Sequence, residues 1–210
     1  MHPVLIGIAG ASCSGKTRLA RGLAEALDGE VSIFSLDHYY ADRGHIPEPE
    51  RSNFNFDHPS ALEAGLLLEH LRRLKKGETI SQPRYCFETH SRLAGAEEFT
   101  PTEIVLVEGL FSLHWKEVRD LLDLRIYMET AEEECRSRRL ERDTKERGRT
   151  VESIEKQYAE TVAPMAEQYI FPTKAHADWV LSGTAPVEEN VARVLAWLSA
   201  QAAVKAIAPA

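Results

Sequence analysis

Gly10-Ala11-Ser12-Cys13-Ser14-Gly15-Lys16-Thr17 follows directly on the apolar run Val4-Leu5-Ile6-Gly7-Ile8-Ala9. The octapeptide has the spacing G-x-x-x-x-G-K-[ST] of a P-loop, set where a buried strand ends and a helix begins. Gly10 and Gly15 let the backbone curl, so that the N–H groups from Ala11 to Ser14 turn inward on phosphate oxygens. The helix that follows presents its positive end to the same anion. Lys16 is placed to reach the β- and γ-phosphates, and Thr17 to set a hydroxyl on Mg²⁺. A P-loop specifies a nucleotide and leaves the reaction open, since kinases, GTPases, motors and ATP-driven switches all use one. The chain has no Asn-Lys-x-Asp segment to read guanine, which disfavours a GTPase.

Outward from this loop, strand-like and helix-like segments alternate. Residues 16–27 carry Leu19, Ala20, Leu23, Ala24 and Leu27 at helical spacing, and 31–36 reads as a second strand. Ser60 is the expected N-cap of a helix over 61–76 that stops at Gly77. Residues 79–92 mix β-formers with polar groups and are expected to form a hairpin or irregular arm. Strands are expected at 104–107, 124–128 and 179–181, and helices at 131–142, 151–169 (kinked at Pro164) and 187–198. Continuous apolar strands between amphipathic helices mean a parallel sheet covered on both faces. The predicted fold class is α/β, a P-loop NTPase-type parallel sheet with helices on both faces. To it are added a small β-rich arm (79–92) and an arginine-rich lid (136–150). One domain is expected over 1–202, with an Ala-rich tail at 203–210 that frays.

Composition narrows the function. The 210 residues are 43% hydrophobic and 28% charged, which excludes a disordered chain, a collagen-like fibre and a disulfide-stapled miniprotein. A net charge of −8 argues against a nucleic-acid partner, because phosphate backbones need a basic surface. No apolar run has the length to cross a membrane, and 4–9 reads as a strand, not a signal peptide. Cys13, Cys86 and Cys135 have no CxxC spacing, which argues against a disulfide framework or a zinc site and fits the cytoplasm.

Two acids stand at strand ends: Asp37 after 31–36, and Glu108 after 104–107. Ligands of parallel sheets gather at the carboxyl ends of strands, so both acids are expected beside the P-loop. One such acid is commonly a Mg²⁺ ligand, and another can take an acceptor's proton. Arg136, Arg138, Arg139, Arg142, Lys145, Arg147 and Arg149 crowd one stretch of an otherwise acidic chain. The interleaved Glu141, Asp143 and Glu146 make part of it a solvated helix face with i,i+4 pairs. Gly148 breaks the helix, and phosphoryl transfer needs cations that close on developing charge. The stretch is therefore read as a lid.

Taken in order, further segments carry a resemblance. They are Leu36-Asp37-His38-Tyr39-Tyr40, Phe54-Asn55-Phe56-Asp57-His58-Pro59, and Tyr85-Cys86-Phe87-Glu88-Thr89-His90-Ser91-Arg92. Val107-Glu108-Gly109, the run from Arg138 to Arg149, Gln157-Tyr158, Pro172-Thr173-Lys174 and Ala177-Asp178 complete the set. With the P-loop they resemble the uridine kinase (uridine–cytidine kinase) group, within the phosphoribulokinase/uridine kinase branch of P-loop kinases. The resemblance implies transfer of the γ-phosphoryl of ATP or GTP to the 5′-hydroxyl of uridine and cytidine. It implies Asp37 as catalytic base, with Lys16, Arg142 and Arg147 on the transferring phosphate and Thr17, Asp37 and Glu108 around Mg²⁺. It assigns Asp57 to the ribose hydroxyls and Tyr85 and His90 to the base. Tyr40, Phe56 and Phe87 form the rest of that pocket, and Arg139, Arg149 and Gln157 are nucleoside-side contacts. It further implies a homotetramer inhibited by pyrimidine triphosphates. Two stretches depart from the family's usual pattern: Cys86 stands where Asp is usual, and Ser182-Gly183-Thr184-Ala185-Pro186 replaces a Pro-Arg-Gly-Gly/Ala loop beside the donor's nucleobase. Two alternatives stay open: a kinase of another small hydroxylated metabolite, and a nucleotide-binding regulatory protein that does not turn over.

Overall fold

The computed structural model describes residues 2–51 and 54–207. Its elements run β1 (Val4–Ala9), α1 (Lys16–Ala26), β2 (Val31–Ser35), α2 (Glu48–Arg51), α3 (Ala64–Lys75), β3 (Ile80–Gln82), β4 (Tyr85–Cys86), β5 (Ser91–Arg92) and β6 (Glu97–Phe99). Then follow β7 (Ile104–Glu108), α4 (Lys116–Arg119), β8 (Leu124–Glu129), α5 (Glu132–Arg147), α6 (Val151–Gln157), α7 (Ala163–Met165), β9 (Trp179–Ser182) and α8 (Val187–Ile207). Five strands form one parallel sheet in the order β2-β7-β1-β8-β9. The expected α/β architecture is present.

Why the strands read as unbroken apolar runs follows from the core. Leu5 and Ala9 of β1 join Phe34, Val105, Val107, Leu67 and Leu71 on one face, and Ile6 and Ile8 join Leu19, Leu23, Leu106, Ile126 and Val194 on the other. Side chains alternate with period two, but both faces are covered, so both sets must be apolar. β1 sits in the middle of the sheet, which delivers the loop after it to the carboxyl end, flanked by the ends of β7 and β8.

The structure corrects several boundaries. The helix expected over 61–76 starts at Ala64, because Leu62 is extended (φ −97°, ψ 145°) and bridges to Tyr40. His58, not Ser60, caps the short 3₁₀ turn before it. The strand expected to reach 36 ends at Ser35, and Asp37 lies on a 3₁₀ turn, Leu36–Tyr39, whose N-cap is Ser35. The arm over 79–92 is two antiparallel pairs, β3 with β6 and β4 with β5, so its pairing extends to Phe99. α5 runs on past 142 to Arg147 and stops at left-handed Gly148 (φ 62°). The helix expected over 151–169 widens into π turns at Tyr158–Val162 and Ala166–Ile170, on either side of the Pro164 segment. Proline supplies no N–H to an i→i−4 bond, and the wider turns take up the mismatch. α8 extends past 198, through 203–207, to Ile207; the rest of the expected tail, 208–210, lies outside the described residues. Among the described residues, no helix is long and apolar enough to cross a membrane.

Candidate active site

The loop after β1 has the backbone a phosphate cradle needs. Gly10 and Gly15 have φ of 144° and 101°. A Cβ on Gly10 would lie 2.5 Å from the Met128 carbonyl oxygen and 2.6 Å from Ser14 Oγ, so only glycine fits. Cys13 also takes a left-handed φ of 63°. Ser14 is fully buried, and its hydroxyl has no hydrogen-bond partner among the described residues. An unpaired buried donor in a curled loop suits an anionic ligand. Lys16 is buried and donates from Nζ to the Ala11 carbonyl at 2.7 Å, across the mouth of the loop. Burial lowers its pKa, against the pull of Glu108 and Asp37.

The two strand-end acids meet beside it. Glu108 is the last residue of β7 and is buried. Its Oε2 accepts from Thr17 Oγ1 at 3.3 Å, and its Oε1 from Ser35 Oγ at 3.1 Å. Ser35 Oγ in turn accepts from the Asp37 N–H at 3.3 Å, which ties both acids to one hydroxyl. Burial, and then the Glu108 charge, push the Asp37 carboxyl from 3.8 up to about 6, with Lys16, Arg147 and Arg142 pulling the other way. Two carboxylates beside a hydroxyl form a hard-oxygen donor set that fits Mg²⁺. Among the described residues, no cluster of three or more His, Cys, Asp or Glu could hold a metal alone. A cation here needs oxygens from phosphate and water as well, which is how Mg²⁺ usually binds with nucleotides.

The arginine stretch folds against the loop. Arg139 is buried and donates to Ser12 Oγ at 3.1 Å and to Gln157 Oε1 at 3.1 Å. Arg149 donates to the same Gln157 oxygen at 2.6 Å. Thr161 Oγ1 reaches Asp57 Oδ2 at 3.5 Å. Asp57 is buried, which raises its pKa, while Arg139 opposes the shift. Arg142 and Arg147 share Asp143 Oδ1 at 2.8 and 3.5 Å.

The arm closes the other side with rings. Tyr40 meets Phe56, Tyr85 and Phe87 at centroid distances of 5.8, 5.1 and 6.0 Å. Phe56 stacks on His90 at 4.7 Å with the planes 16° apart. Phe87 keeps 40% of its surface exposed, and Arg147 lies over it at 5.2 Å, so the lid touches the arm. Tyr85 is buried, and its hydroxyl has no hydrogen-bond partner among the described residues.

The expected site residues thus fall into three linked groups. Gly10 to Thr17 lie with Asp37 and Glu108; Arg139, Arg142, Arg147, Arg149 and Gln157 cover them; Tyr40, Phe56, Tyr85, Phe87 and His90 form the ring cluster. Residue-level reasoning missed three others. Ser35 joins the acids. Arg138 donates to the carbonyls of Cys13 and Gly183, at 3.4 and 3.1 Å. Asp143 is fully buried, not part of a solvated face. The divergent loop at 182–186 also touches the cradle: a Cβ on Gly183 would stand 1.9 Å from the Ser14 carbonyl oxygen.

Known proteins resemble this chain in sequence or in fold. Uridine kinases from Aeromonas salmonicida and Staphylococcus epidermidis are each 42% identical to the chain, over 183 and 178 residues. These alignments cover 85% and 84% of the chain and 86% of each relative. The uridine kinase of Halobacterium salinarum is 44% identical over 176 residues, covering 84% of the chain and 78% of the relative. Phosphoribulokinase from Rhodobacter spheroides shares the fold at a TM-score of 0.66 and 16% identity, covering 89% of this chain and 74% of that one. The D-glycerate 3-kinase of Cryptococcus neoformans does so at 0.63 and 16%, covering 88% of each chain. The sequence profile of the phosphoribulokinase/uridine kinase family matches residues 5–188, and the chain belongs to that family.

Proposed function

We propose that the protein is a pyrimidine nucleoside kinase that transfers the γ-phosphoryl of ATP or GTP to the 5′-hydroxyl of uridine and cytidine, as in pyrimidine salvage. The observation that carries this is the likeness to uridine kinases at 42–44% identity over most of both chains. The site supports it with a phosphate cradle, a carboxyl of raised pKa and an aromatic cluster that the lid touches. Lys16 binds the β- and γ-phosphate oxygens, exchanging the Ala11 carbonyl for them. Thr17, Glu108 and Asp37 would hold Mg²⁺, which when bound neutralises charge on the phosphates. Asp37, with a pKa near 6, is ionised at neutral pH and still basic enough to accept the 5′-hydroxyl proton as the oxygen attacks. Arg142 and Arg147 balance the charge spread over the phosphoryl oxygens.

On the nucleoside side, Asp57 holds the ribose hydroxyls, and Arg139, Arg149 and Gln157 line the adjoining wall. Tyr85 and His90 reach the edge of the base, with Tyr40, Phe56 and Phe87 around its faces. The finer reading also includes a cytoplasmic homotetramer and inhibition by pyrimidine triphosphates. The test is steady-state kinetics with Mg²⁺-ATP and Mg²⁺-GTP on uridine, cytidine, adenosine and guanosine. Turnover of both pyrimidine nucleosides and of neither purine is expected. Equal turnover of adenosine, or binding of ATP with no turnover of any nucleoside, would overturn the proposal.

A further inference from the structure

Asp143 lies near the end of α5 with none of its surface exposed. Four guanidiniums converge on its carboxylate. Arg142 Nε donates to Oδ1 at 2.8 Å. Arg139, one turn earlier, stands 3.5 Å from Oδ2; Arg147, one turn later, 3.5 Å from Oδ1; and Arg149, beyond the helix end, 3.6 Å from Oδ2. The backbone contributes as well: the Asp143 carbonyl accepts from the N–H groups of Gly148 and Arg149, and so folds Arg149 back over the helix. Yet Oδ2 and the Arg139 Nε, both buried, have no aligned hydrogen-bond partner among the described residues.

This is a poor arrangement for stability alone. One aligned arginine fork would satisfy a buried carboxylate, and a second acid would neutralise the surplus charge. Instead, among the described residues, Asp143 is the ion-pair partner of all four guanidiniums, and Asp37 and Asp57 act on three of them only at longer range, so most of the positive charge is left uncompensated by contact. Burial, and then the neighbouring Arg142 charge, lower the pKa of Arg147. Three of the four face the chemistry: Arg139 bonds the P-loop at Ser12, and Arg142 and Arg147 lie within electrostatic reach of Asp37.

We propose that Asp143 is the positioning residue of the lid, whose single buried charge holds Arg139, Arg142, Arg147 and Arg149 on one focus while leaving the surplus charge of Arg142 and Arg147 for the transferring phosphoryl group. The proposal rests on Arg142 and Arg147 being phosphoryl contacts. Without Asp143 the four cations repel and splay. Their charge stays near the cradle, but their geometry is lost. Binding of a bare polyanion depends mainly on the charge, whereas turnover depends on the geometry.

The two effects separate in Asp143→Asn, which keeps shape and removes charge. Its kcat is expected to fall about 10- to 100-fold, by more than KM for uridine rises. Competitive inhibition by inorganic tripolyphosphate against ATP is expected to be unchanged or tighter. An unchanged kcat would overturn the proposal. So would a joint loss of kcat, tripolyphosphate binding and thermal midpoint, which would assign Asp143 to the scaffold. Should Asp143→Asn not fold, Asp143→Glu keeps the charge and displaces it by one methylene. It is expected to lose kcat with a near-native thermal midpoint, and a wild-type kcat there overturns the proposal. A chain that folds with neither residue overturns it too. Arg142→Ala separates the premise from the inference. A wild-type kcat in Arg142→Ala removes the lid chemistry and the proposal together. A crippled Arg142→Ala beside a fully active Asp143→Asn removes only the proposal.

Discussion

Asp37→Asn is expected to make the metal-free protein more stable and nearly inactive. The Asp37 carboxyl is raised from 3.8 to about 6, chiefly by burial and then by the Glu108 charge. An acid whose folded pKa is raised favours the fold fully below its unfolded value, and this contribution is lost as pH rises through the folded value. At about 1.4 kcal/mol per unit, ionised Asp37 costs the fold up to about 3 kcal/mol at neutral pH. Asparagine cannot ionise, so the variant gains up to that amount, less what Lys16 loses with its anionic neighbour. The assay is urea unfolding in chelator across the acid-to-neutral range. The gain over wild type should be largest above about pH 7, shrink through about pH 6 and vanish near pH 4. In the same variant kcat should fall at least about 100-fold, because the proton acceptor is gone. A variant no more stable than wild type at neutral pH, or one with wild-type kcat, would refute the reasoning.

Three further outcomes are expected. Arg147→Ala should lower kcat more than it raises KM for nucleoside, since its charge acts mainly in the transition state; a change in KM alone would make it a ground-state contact. His90→Phe should lose roughly 5- to 150-fold in kcat/KM for both uridine and cytidine, the range for about 1–3 kcal/mol of lost pairing to a buried polar group. Unchanged kinetics would remove His90 from base reading. Gly183→Ala forces a methyl to within 1.9 Å of the Ser14 carbonyl, so it should destabilise the fold by about 1–3 kcal/mol and raise KM for ATP, read by thermal unfolding and kinetics.

The cradle was legible because its residues are contiguous and their spacing is itself the geometry. Asp37 and Glu108 were legible because a strand end fixes where a side chain sits in a parallel sheet, although Asp37 lies one 3₁₀ turn beyond its strand. The ring cluster was legible only through the resemblance: Tyr40, Phe56 and the Tyr85–His90 stretch come from three separate segments that no local period links. Asp143 was read as part of a solvated face, because i,i+4 partners of opposite sign mark such faces. Its burial comes from α5 lying against α6 and the P-loop, a tertiary effect with no local signal. The helix through Pro164 was expected, but its π turns were not, since periodicity reports an apolar face and not the pitch of the turns that carry it.

Phosphoryl transfer to a pyrimidine nucleoside is tested most directly by following the label from Mg²⁺-[γ-³²P]ATP with uridine and, separately, with 5′-deoxyuridine. The expected result is label in UMP from uridine and no labelled nucleotide from 5′-deoxyuridine, which lacks the attacking oxygen and acts as a competitive inhibitor. Label released only as inorganic phosphate, or a labelled product from 5′-deoxyuridine, would contradict it.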